Sequence, residues 1–440
     1  MNAITRRARY VLFVLLGTGG DVWPALQLAC ALRDRGDEVE VASYANVEAD
    51  VRSLGLAFHA VGSREEYLAQ VEQPAFWGRM GPHMAMAEGG YVRLAIPRVH
   101  ALVASLRERR PVLVCTRNAY GARFAAEQFG LQCINLVYSP QQLITPDRLP
   151  YPANTRLARA LPVFYKRAML RLADRFNLDL LLPTVNALRL PLGLPPIRRL
   201  REWLFFGSPA LALYPRWFDD LSALASSSVA QGDFLLRHTD EDAPLDEALL
   251  RFLDARPPPV VCSLGTGIAH ARERYALVAA ALAQQGRRGV FVTTFDGNLP
   301  EQLGEHVFRV AYANLAPVLR RCALLIHHGG IGTMAQAMLA GTPQLVMPFF
   351  YDQADNGERV RRLGLGGMLE GDGWDVGTVA AAIEHALSQP AAQRLALRER
   401  MRASAGEAAC VDAFESLLAT VASAPAVASA SCTALAEVSP

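Results

Sequence analysis

The stretch from His327 to Thr333 reads His-His-Gly-Gly-Ile-Gly-Thr and separates two apolar segments. The segment before it, Ala323 to Ile326, is typical of a buried strand, and Met334 to Ala340 after it is typical of a helix that ends at Gly341. This pattern predicts a strand–turn–helix unit. Glycines allow a ligand to approach the backbone closely, and the free N–H groups and dipole of a helix start favour negative charge. The turn is therefore suited to a phosphate.

A second loop strengthens this interpretation. The segment Gln344 to Pro348 reads as another buried strand, and the loop after it carries Asp352 and Gln353. A carboxylate and an amide, one loop away from a phosphate site, suit the hydroxyl groups of a sugar. His327 adds a hydrogen-bond donor for a phosphate oxygen. A glycine-rich turn by itself would be only a tight turn, but the combination favours a nucleotide-sugar site.

The composition sets wider bounds. A chain of 440 residues, half of them hydrophobic, suits two domains of about 200 residues each. The net charge of +2 does not favour nucleic acid or an anionic membrane as a bulk electrostatic partner. The seven cysteines are scattered without metal-ligand spacing, which is typical of a reducing cytosol. The short apolar run after Arg9 reads as a first strand and not as a signal peptide, so a cytoplasmic location is expected.

Strands and helices alternate in both halves of the sequence. A strand from Tyr10, a glycine turn, a helix from about Pro24 to Arg35 and a strand from Glu38 to Ser43 begin the first half. The same alternation restarts at Val260. The sequence therefore predicts an α/β protein with two doubly wound parallel sheets, one in each domain. We place the division at 1–225 and 226–420, with 421–440 as a disordered tail because Ala, Ser and Pro dominate there.

The two loop motifs together resemble the donor-binding signature of the UDP- and dTDP-sugar glycosyltransferases with the GT-B fold. That fold places two Rossmann-like domains face to face across a cleft. The resemblance implies that 1–225 binds the acceptor and 226–420 binds the nucleotide sugar. It also implies that the last helices cross back onto the first domain. Ser263-Leu-Gly-Thr resembles a further phosphate-contacting element, and Tyr312 lies where an aromatic residue stacks on the base.

The resemblance therefore implies a defined set of donor contacts. His327 and the turn N–H groups would neutralise the diphosphate as it leaves, while the role of His328 stays open. Leu315 replaces a glutamine, so that any contact with the base there uses the backbone. The set comprises Ser263, Gly265, Thr266, Tyr312, Leu315, His327, Gly329, Gly330, Gly332, Thr333, Asp352 and Gln353.

Asp21 is the candidate catalytic base. It lies in a block, Gly17 to Pro24, that resembles the family's N-terminal loop, and a carboxylate of raised pKa can take the proton of an attacking hydroxyl. The alternative is that Asp21 caps the helix near Pro24, and the two roles do not exclude each other. Direct attack implies an inverting reaction without a covalent intermediate. No metal is expected, as is characteristic of the family, and whether Arg117 or Asn118 orients Asp21 stays open.

An acceptor pocket is predicted in the irregular region around residues 67–96, which is rich in methionines and aromatic residues. Such residues are more often core, but they also adapt to flexible apolar ligands, and the region corresponds to the acceptor helices of the family. The acceptor-contacting set is Gly20, Phe76, Trp77, Met80, Met84 and Phe205.

Within the family, several blocks are similar to the rhamnosyltransferases of bacterial rhamnolipid synthesis. They include Gly329 to Gly332, Asp352 to Arg359, and Ser208-Pro209 ahead of Trp217-Phe218. The similarity implies transfer of L-rhamnose from dTDP-L-rhamnose to a 3-(3-hydroxyalkanoyloxy)alkanoate, which yields the biosurfactant mono-rhamnolipid. It is compatible with peripheral membrane association and with association with the acceptor-synthesising enzyme.

Other functions stay open at this point. The same donor blocks serve enzymes that act on polyketides, macrolides or sterols, and His328 and Thr333 are more typical of the antibiotic-type enzymes. A catalytically silent sugar-binding partner and a nonhydrolysing sugar epimerase are alternatives of other classes. A silent partner has no need for Asp21, His327 and Asp352-Gln353 together, and an epimerase has no need for an apolar acceptor pocket.

Overall fold

The computed structural model of the protein describes residues 8–72 and 91–423, except positions 223, 225–227, 238, 266 and 302. Over these residues the chain forms two separate parallel β-sheets. The strands are β1 (Tyr10–Val14), β2 (Glu38–Tyr44), β3 (Ala57–Gly62), β4 (Val112–Cys115), β5 (Cys133–Val137), β6 (Ala210–Ala212), β7 (Val229–Gln231), β8 (Val260–Ser263), β9 (Gly289–Val292), β10 (Val307–Val310), β11 (Leu324–His327), β12 (Gln344–Val346) and β13 (Gly366–Met368).

Helices connect these strands. They are α1 (Gly19–Asp34), α2 (Glu48–Ser53), α3 (Arg64–Val71), α4 (Tyr91–Leu106), α5 (Tyr120–Phe129), α6 (Arg156–Ala160), α7 (Val163–Arg175), α8 (Leu182–Arg189), α9 (Leu200–Phe206), α10 (Glu247–Asp254), α11 (Arg272–Gln284), α12 (Leu315–Leu319), α13 (Ile331–Ala340), α14 (Gln353–Arg362), α15 (Val376–Ser388), α16 (Ala391–Arg402) and α17 (Glu407–Ser423). The four helices α6 to α9 lie between β5 and β6, so the first domain carries the longer insertion.

The first sheet has the strand order β3-β2-β1-β4-β5-β6-β7, and the second has the order β10-β9-β8-β11-β12-β13. All neighbouring strands in both sheets are parallel. Apolar clusters cover the faces of each sheet, and one of them continues from the first domain onto α13 and β12 of the second. Burial on both faces explains why central strands such as Val11–Val14 are apolar without interruption. The expectation of two doubly wound α/β domains is confirmed.

The order of each sheet reverses next to its first strand, between β1 and β4 and between β8 and β11. At such a switch point the connections leave in opposite directions and open a crevice at the carboxyl ends of the strands, where ligands bind. The loop with Asp21 follows β1, and the loop with the two histidines follows β11. The sequence motifs therefore lie at the two crevices that the topology creates.

Two boundaries differ from the sequence prediction. The division at 225/226 is too early, because β7 comes after it and pairs with β6 in the first sheet. Helix α1 begins at Gly19 and not near Pro24, so Asp21 lies inside its first turn.

The last helix, α17, packs against the first domain. Its Cys410 and Phe414 belong to the apolar cluster around β1, and the Arg9 guanidinium ties Glu415 (2.7 Å) to Asp37 (2.6 Å). This contact joins the end of the chain to its beginning. Among the described residues no helix has the length and apolarity needed to cross a membrane. The tail predicted at 421–440 lies mostly outside the described residues.

Candidate active site

Asp21 is held by the first turn of α1. Its Oδ2 accepts a hydrogen bond from the Thr18 N–H (2.9 Å) and lies within 3.3 Å of the Thr18 hydroxyl. Thr18 is the N-cap residue of α1, and Asp21 is the third helical residue of the capping box, so Asp21 supports the helix start through Oδ2 without being its N-cap. A Cβ on Gly17 would come within 2.4 Å of Oδ2, and Gly17 has φ +154°. Glycine at position 17 is therefore required for this placement of the carboxylate.

The surroundings of Asp21 favour a protonatable carboxyl group. Its pKa is raised from 3.8 to about 6, chiefly by burial and also by the negative charge of Asp352, against the Thr18 hydrogen bonds and the charge of Arg117, which lower it. Desolvation destabilises the charged form, which explains the direction of the shift. A general base with a pKa near the working pH is suited to proton transfer.

Arg117 follows β4, the strand next to β1. Besides acting on the pKa of Asp21, its guanidinium lies 5.9 Å from the centre of the Tyr351 ring. The hydroxyl of Thr116 accepts from the Leu16 N–H (2.9 Å) and so joins the ends of the two strands. Of the two residues that the sequence left open, the structure places Arg117 within electrostatic range of Asp21. Asn118 has a buried side-chain oxygen without a hydrogen-bond partner among the described residues.

Asp352 brings the second domain to Asp21. It precedes α14, and its carboxylate accepts a hydrogen bond from the Asn356 amide (3.0 Å). Burial raises the pKa of Asp352, whereas Ser139, after the end of β5, and Asn356 lower it. A second contact joins the domains nearby, because the Tyr151 N–H donates to Asp355 Oδ1 at 3.0 Å. Ser139 was missed at the sequence level, although its position directly after a predicted strand would have indicated it.

His327 is not available to a ligand. Its side chain is fully buried at the end of β11, where Nδ1 accepts from the Gly329 N–H (3.2 Å) and Nε2 therefore carries the proton and donates to Gln344 Oε1 (3.0 Å). Burial and then the neighbouring His328 lower its pKa to about 3, so it is neutral. The prediction that His327 donates to a phosphate is wrong, because both ring nitrogens are used inside the domain.

Gly329 is likewise a structural residue. Its N–H is occupied by His327, and its carbonyl accepts from the Asn356 amide at 2.8 Å. With φ +95°, a Cβ at this position would come within 2.7 Å of the Gln353 carbonyl. The predicted phosphate contact through the Gly329 N–H is therefore also corrected: this glycine packs the loop onto α14.

His328 directly follows β11. Its ring lies between the two loops, since a Cβ on Gly265 would be 3.1 Å from its Cε1 and a Cβ on Gly330 2.5 Å from its Nε2. Burial lowers its pKa to about 4, the backbone of Ser263 opposes the shift, and Arg274 adds to it. His328 thus contacts the ends of β8 and β11 at the switch point. Thr266 lies outside the described residues.

The start of α13 presents free backbone donors. Gly330 is its N-cap residue and provides no side chain to cap the first N–H groups. The N–H groups of Gly332 and Thr333, in the first turn, have no partner within the helix. A Cβ on Gly332 would meet no atom within 4 Å, so the backbone is open there. Ile331 packs against the apolar cluster around β1, and the helix start therefore faces the first domain.

Gln353 is mainly structural. It is buried, and its Oε1 accepts from the N–H groups of Phe349 (2.7 Å) and Phe350 (3.3 Å). The amide nitrogen is the polar atom left for a sugar. Tyr351, just before Asp352, has φ +54°, a left-handed conformation that is strained for a tyrosine. The strained turn and the Gln353 hydrogen bonds together fix the direction of Asp352.

The remaining predicted contacts differ in whether a ligand can reach them. Tyr312 is 57% exposed, so its ring face is accessible, and Leu315 begins α12 behind an Asn314 cap. Gly20 is exposed in the first turn of α1. Phe205 belongs to the apolar core of the first domain, so its prediction as an acceptor contact is wrong. Phe76, Trp77, Met80 and Met84 lie outside the described residues.

The two switch points thus carry complementary groups. A carboxyl group follows β1, and a histidine and free helix N–H groups follow β11. Within the described part of the chain, no group of three or more His, Cys, Asp or Glu side chains is placed to hold a metal ion.

Comparisons with known proteins agree with this arrangement. Residues 11–143 match the glycosyltransferase family 28 N-terminal domain, and residues 290–414 match the erythromycin biosynthesis protein CIII-like C-terminal domain. Glycosyltransferase GtfC of Amycolatopsis orientalis is 30% identical over 393 residues, which cover 86% of this chain and 90% of that protein.

Solved structures show the same fold. The glycotransferase of kitacinnamycin superposes with a TM-score of 0.71 at 20% identity, over 94% of this chain and 100% of that one. Spinosyn rhamnosyltransferase SpnG, complexed with thymidine diphosphate, superposes with a TM-score of 0.62 at 20% identity, over 92% and 100%. Two facing Rossmann-like domains, the matched family domains and the 30% identical relative lead to one conclusion: the chain belongs to the nucleotide-sugar glycosyltransferases of the GT-B fold.

Proposed function

We propose that the protein transfers a hexose from a nucleoside diphosphate sugar to a hydroxyl group of an apolar acceptor, with inversion at the anomeric carbon and without a metal ion. The observation that carries the proposal is the contact between the two domains beside Asp21 and Asp352, where the Arg117 guanidinium lies 5.9 Å from the centre of the Tyr351 ring and the Tyr151 N–H donates to Asp355 Oδ1 at 3.0 Å. This contact supports a shared site for a base, Asp21, and a sugar-binding carboxylate, Asp352.

Asp21 acts as the base. With Oδ2 tied to Thr18, the other oxygen, Oδ1, takes the proton as the acceptor oxygen attacks the anomeric carbon. The bond from that carbon to the diphosphate breaks on the opposite side, so the configuration inverts. Asp352, oriented by Asn356, binds hydroxyl groups of the sugar.

The departing diphosphate is stabilised at the second switch point. The N–H groups of Gly332 and Thr333 and the dipole of α13 face the developing charge. His328 donates one ring N–H to a phosphate oxygen, and the diphosphate charge favours its protonated form, which opposes the effect of burial on its pKa. Tyr312 stacks on the base.

For the substrates we propose dTDP-L-rhamnose and a 3-(3-hydroxyalkanoyloxy)alkanoate, which give a mono-rhamnolipid. The blocks around Gly329 and Asp352 support this pair, and SpnG is a structural neighbour named as a rhamnosyltransferase and seen with thymidine diphosphate. A second candidate acceptor is a polyketide or macrolide, which the match to the erythromycin CIII-like domain favours. Both candidates use the same donor site and differ only in the acceptor.

The test is a dTDP-release assay with purified protein, dTDP-L-rhamnose and the hydroxyalkanoyloxy-alkanoate, with and without EDTA. We expect acceptor-dependent release, insensitive to EDTA, and a rhamnosylated lipid by mass spectrometry. Turnover only with a macrolide or polyketide would replace the acceptor and keep the mechanism. Release of dTDP without any acceptor would contradict glycosyl transfer, and failure to bind dTDP or UDP by calorimetry would indicate a silent partner.

A further inference from the structure

Helix α7 has its polar and apolar faces reversed relative to a normal surface helix. Its inward face carries Lys166, whose ammonium donates to the Arg159 carbonyl (3.2 Å) and lies 3.8 Å from Asp147. Asp174, two turns further on, is paired with Arg201 and mostly buried. Surface helices normally bury apolar residues and expose charged ones. In α7, by contrast, Lys166 and Asp174 lie on the inward face and interact with polar or charged partners there.

The opposite face of α7 is apolar and open to solvent. Phe164 and Leu172 are 63% and 59% exposed, and Phe176, just after the helix, is 62% exposed. Tyr165 and Met169 lie on the same side and are also exposed. Of the thirteen large hydrophobic side chains exposed among the described residues, nine fall between Leu157 and Leu190. A concentration of exposed apolar side chains of this kind marks a surface that binds another molecule or a membrane.

A row of arginines borders this apolar face. Arg167, Arg171 and Arg175 follow one another at intervals of four residues, so they lie along one side of the helix. None of the three forms an ion pair with a described residue, whereas Arg9 and Arg201 do. Three free guanidinium groups beside an apolar and aromatic stripe are complementary to a surface that carries negative charges above an apolar layer.

We propose that α7 is the membrane-docking element of this protein, lying flat on an anionic lipid surface. Phe164, Met169, Leu172 and Phe176 enter the boundary between head groups and acyl chains, and Arg167, Arg171 and Arg175 bind lipid phosphates. Helices with this distribution of apolar and basic residues lie in the plane of the interface. A protein partner would not require the uninterrupted row of unpaired arginines, so the charge pattern favours lipid.

Docking through α7 places the cleft next to the membrane. The chain runs from Tyr151, which contacts Asp355 across the domain boundary, through α6 into α7. An apolar acceptor dissolved in the bilayer would then reach the enzyme without crossing water. This consequence rests on the proposed function, whereas the docking itself does not depend on sugar transfer.

The test is flotation of the full chain with vesicles of phosphatidylcholine containing phosphatidylglycerol, and with phosphatidylcholine alone. We expect binding to the anionic vesicles, weakened at least ten-fold by Leu172→Glu and about five-fold by Arg171→Gln. Leu395→Glu, at a leucine 49% exposed on α16, and Arg362→Gln, at an exposed arginine on α14, are matched controls and should bind like the unmodified protein.

Three results would overturn the proposal. Leu172→Glu or Arg171→Gln could bind vesicles as well as the controls do. Leu172→Glu could instead lose dTDP release with a water-soluble acceptor in the absence of vesicles, which would make α7 part of the acceptor site. Finally, the unmodified protein could ignore vesicles but form a complex with a second copy or another protein that Leu172→Glu disrupts. Because flotation and dTDP release are separate readouts, failure of docking is distinguishable from failure of the catalytic proposal.

Discussion

The loop after β1 and the loop after β11 each lie at the switch point of their own sheet, yet they present opposite chemistry. In the first, Asp21 lies in the opening turn of α1 and hydrogen-bonds to Thr18, so a negative charge faces the helix N-terminus. In the second, Gly330 caps α13 without a side chain, and no acid lies in its first turn. One helix start is occupied by its own carboxylate, and the other is left open for the charge of a ligand.

This difference shows how one architecture serves two roles. A helix start with an internal carboxylate has little remaining attraction for an anion, but it fixes that carboxylate in place. A helix start without one attracts a diphosphate. Removing the carboxylate from the start of α1 should therefore abolish the role of the first loop, and adding a carboxylate to the start of α13 should weaken the role of the second.

The largest effect is expected from removing the carboxylate of the first loop. Asp21→Asn keeps an oxygen for the Thr18 N–H but loses the base, so kcat should fall by roughly 10²–10⁴-fold. The measurement is the rate of acceptor-dependent dTDP release at saturating substrates. Asp34→Asn, at the exposed far end of the same helix, is the control and should have normal activity. A variant at Asp21 with near-normal kcat would remove Asp21 from the chemistry.

The second prediction distinguishes the roles of His327 and His328 in the loop after β11. His328→Ala should lower kcat/KM by roughly 10²-fold, because a donor to the diphosphate is lost. Its thermal stability should change little. His327→Ala should instead lower the free energy of unfolding by about 1–3 kcal/mol, because the buried partners Gln344 and Gly329 lose their hydrogen bonds. Denaturant unfolding and kinetics of both variants test this, and the reverse pattern would restore His327 as the ligand.

A smaller effect should follow from making the second loop like the first. Gly332→Asp places a carboxylate in the opening turn of α13, where there is room for a side chain. The added charge should repel the diphosphate and weaken dTDP binding by about ten-fold at an energy of roughly 1.4 kcal/mol. Calorimetry with dTDP measures it. Gly332→Asn is the neutral control of the same size, and equal losses in both variants would indicate steric effects only.

The smallest effect concerns pH. A base with a pKa raised to about 6 is protonated and inactive below that pH, so kcat/KM should fall about ten-fold per pH unit there and level off above it. The positive charge of Arg117 lowers the pKa of Asp21, so Arg117→Gln should move this inflection upward by a fraction of a unit. The pH profiles of both proteins test the shift. A downward shift would mean that Arg117 acts on another group.

Much of this site followed from residue patterns. Apolar strands and glycine turns predicted both sheets, and β1, β2 and β8 begin at the predicted residues Tyr10, Glu38 and Val260. Asp21 and Asp352 follow predicted strands, and each lies at the carboxyl edge of its own sheet, where the switch points open the crevices. The choice between His327 and His328 was wrong, since adjacent residues at a strand end point to opposite faces, and the sequence does not indicate which face is covered.

The sequence by itself determined the two doubly wound domains and the loops that carry the chemistry, because strand periodicity, glycine turns and helix starts are local properties of the chain. Tertiary structure alone decided which atoms remain free. The hydrogen bonds of His327, the core position of Phe205 and the outward apolar face of α7 depend on what packs against each residue. Those neighbours come from distant parts of the chain, and burial by them sets both the pKa of Asp21 and the accessibility of His328.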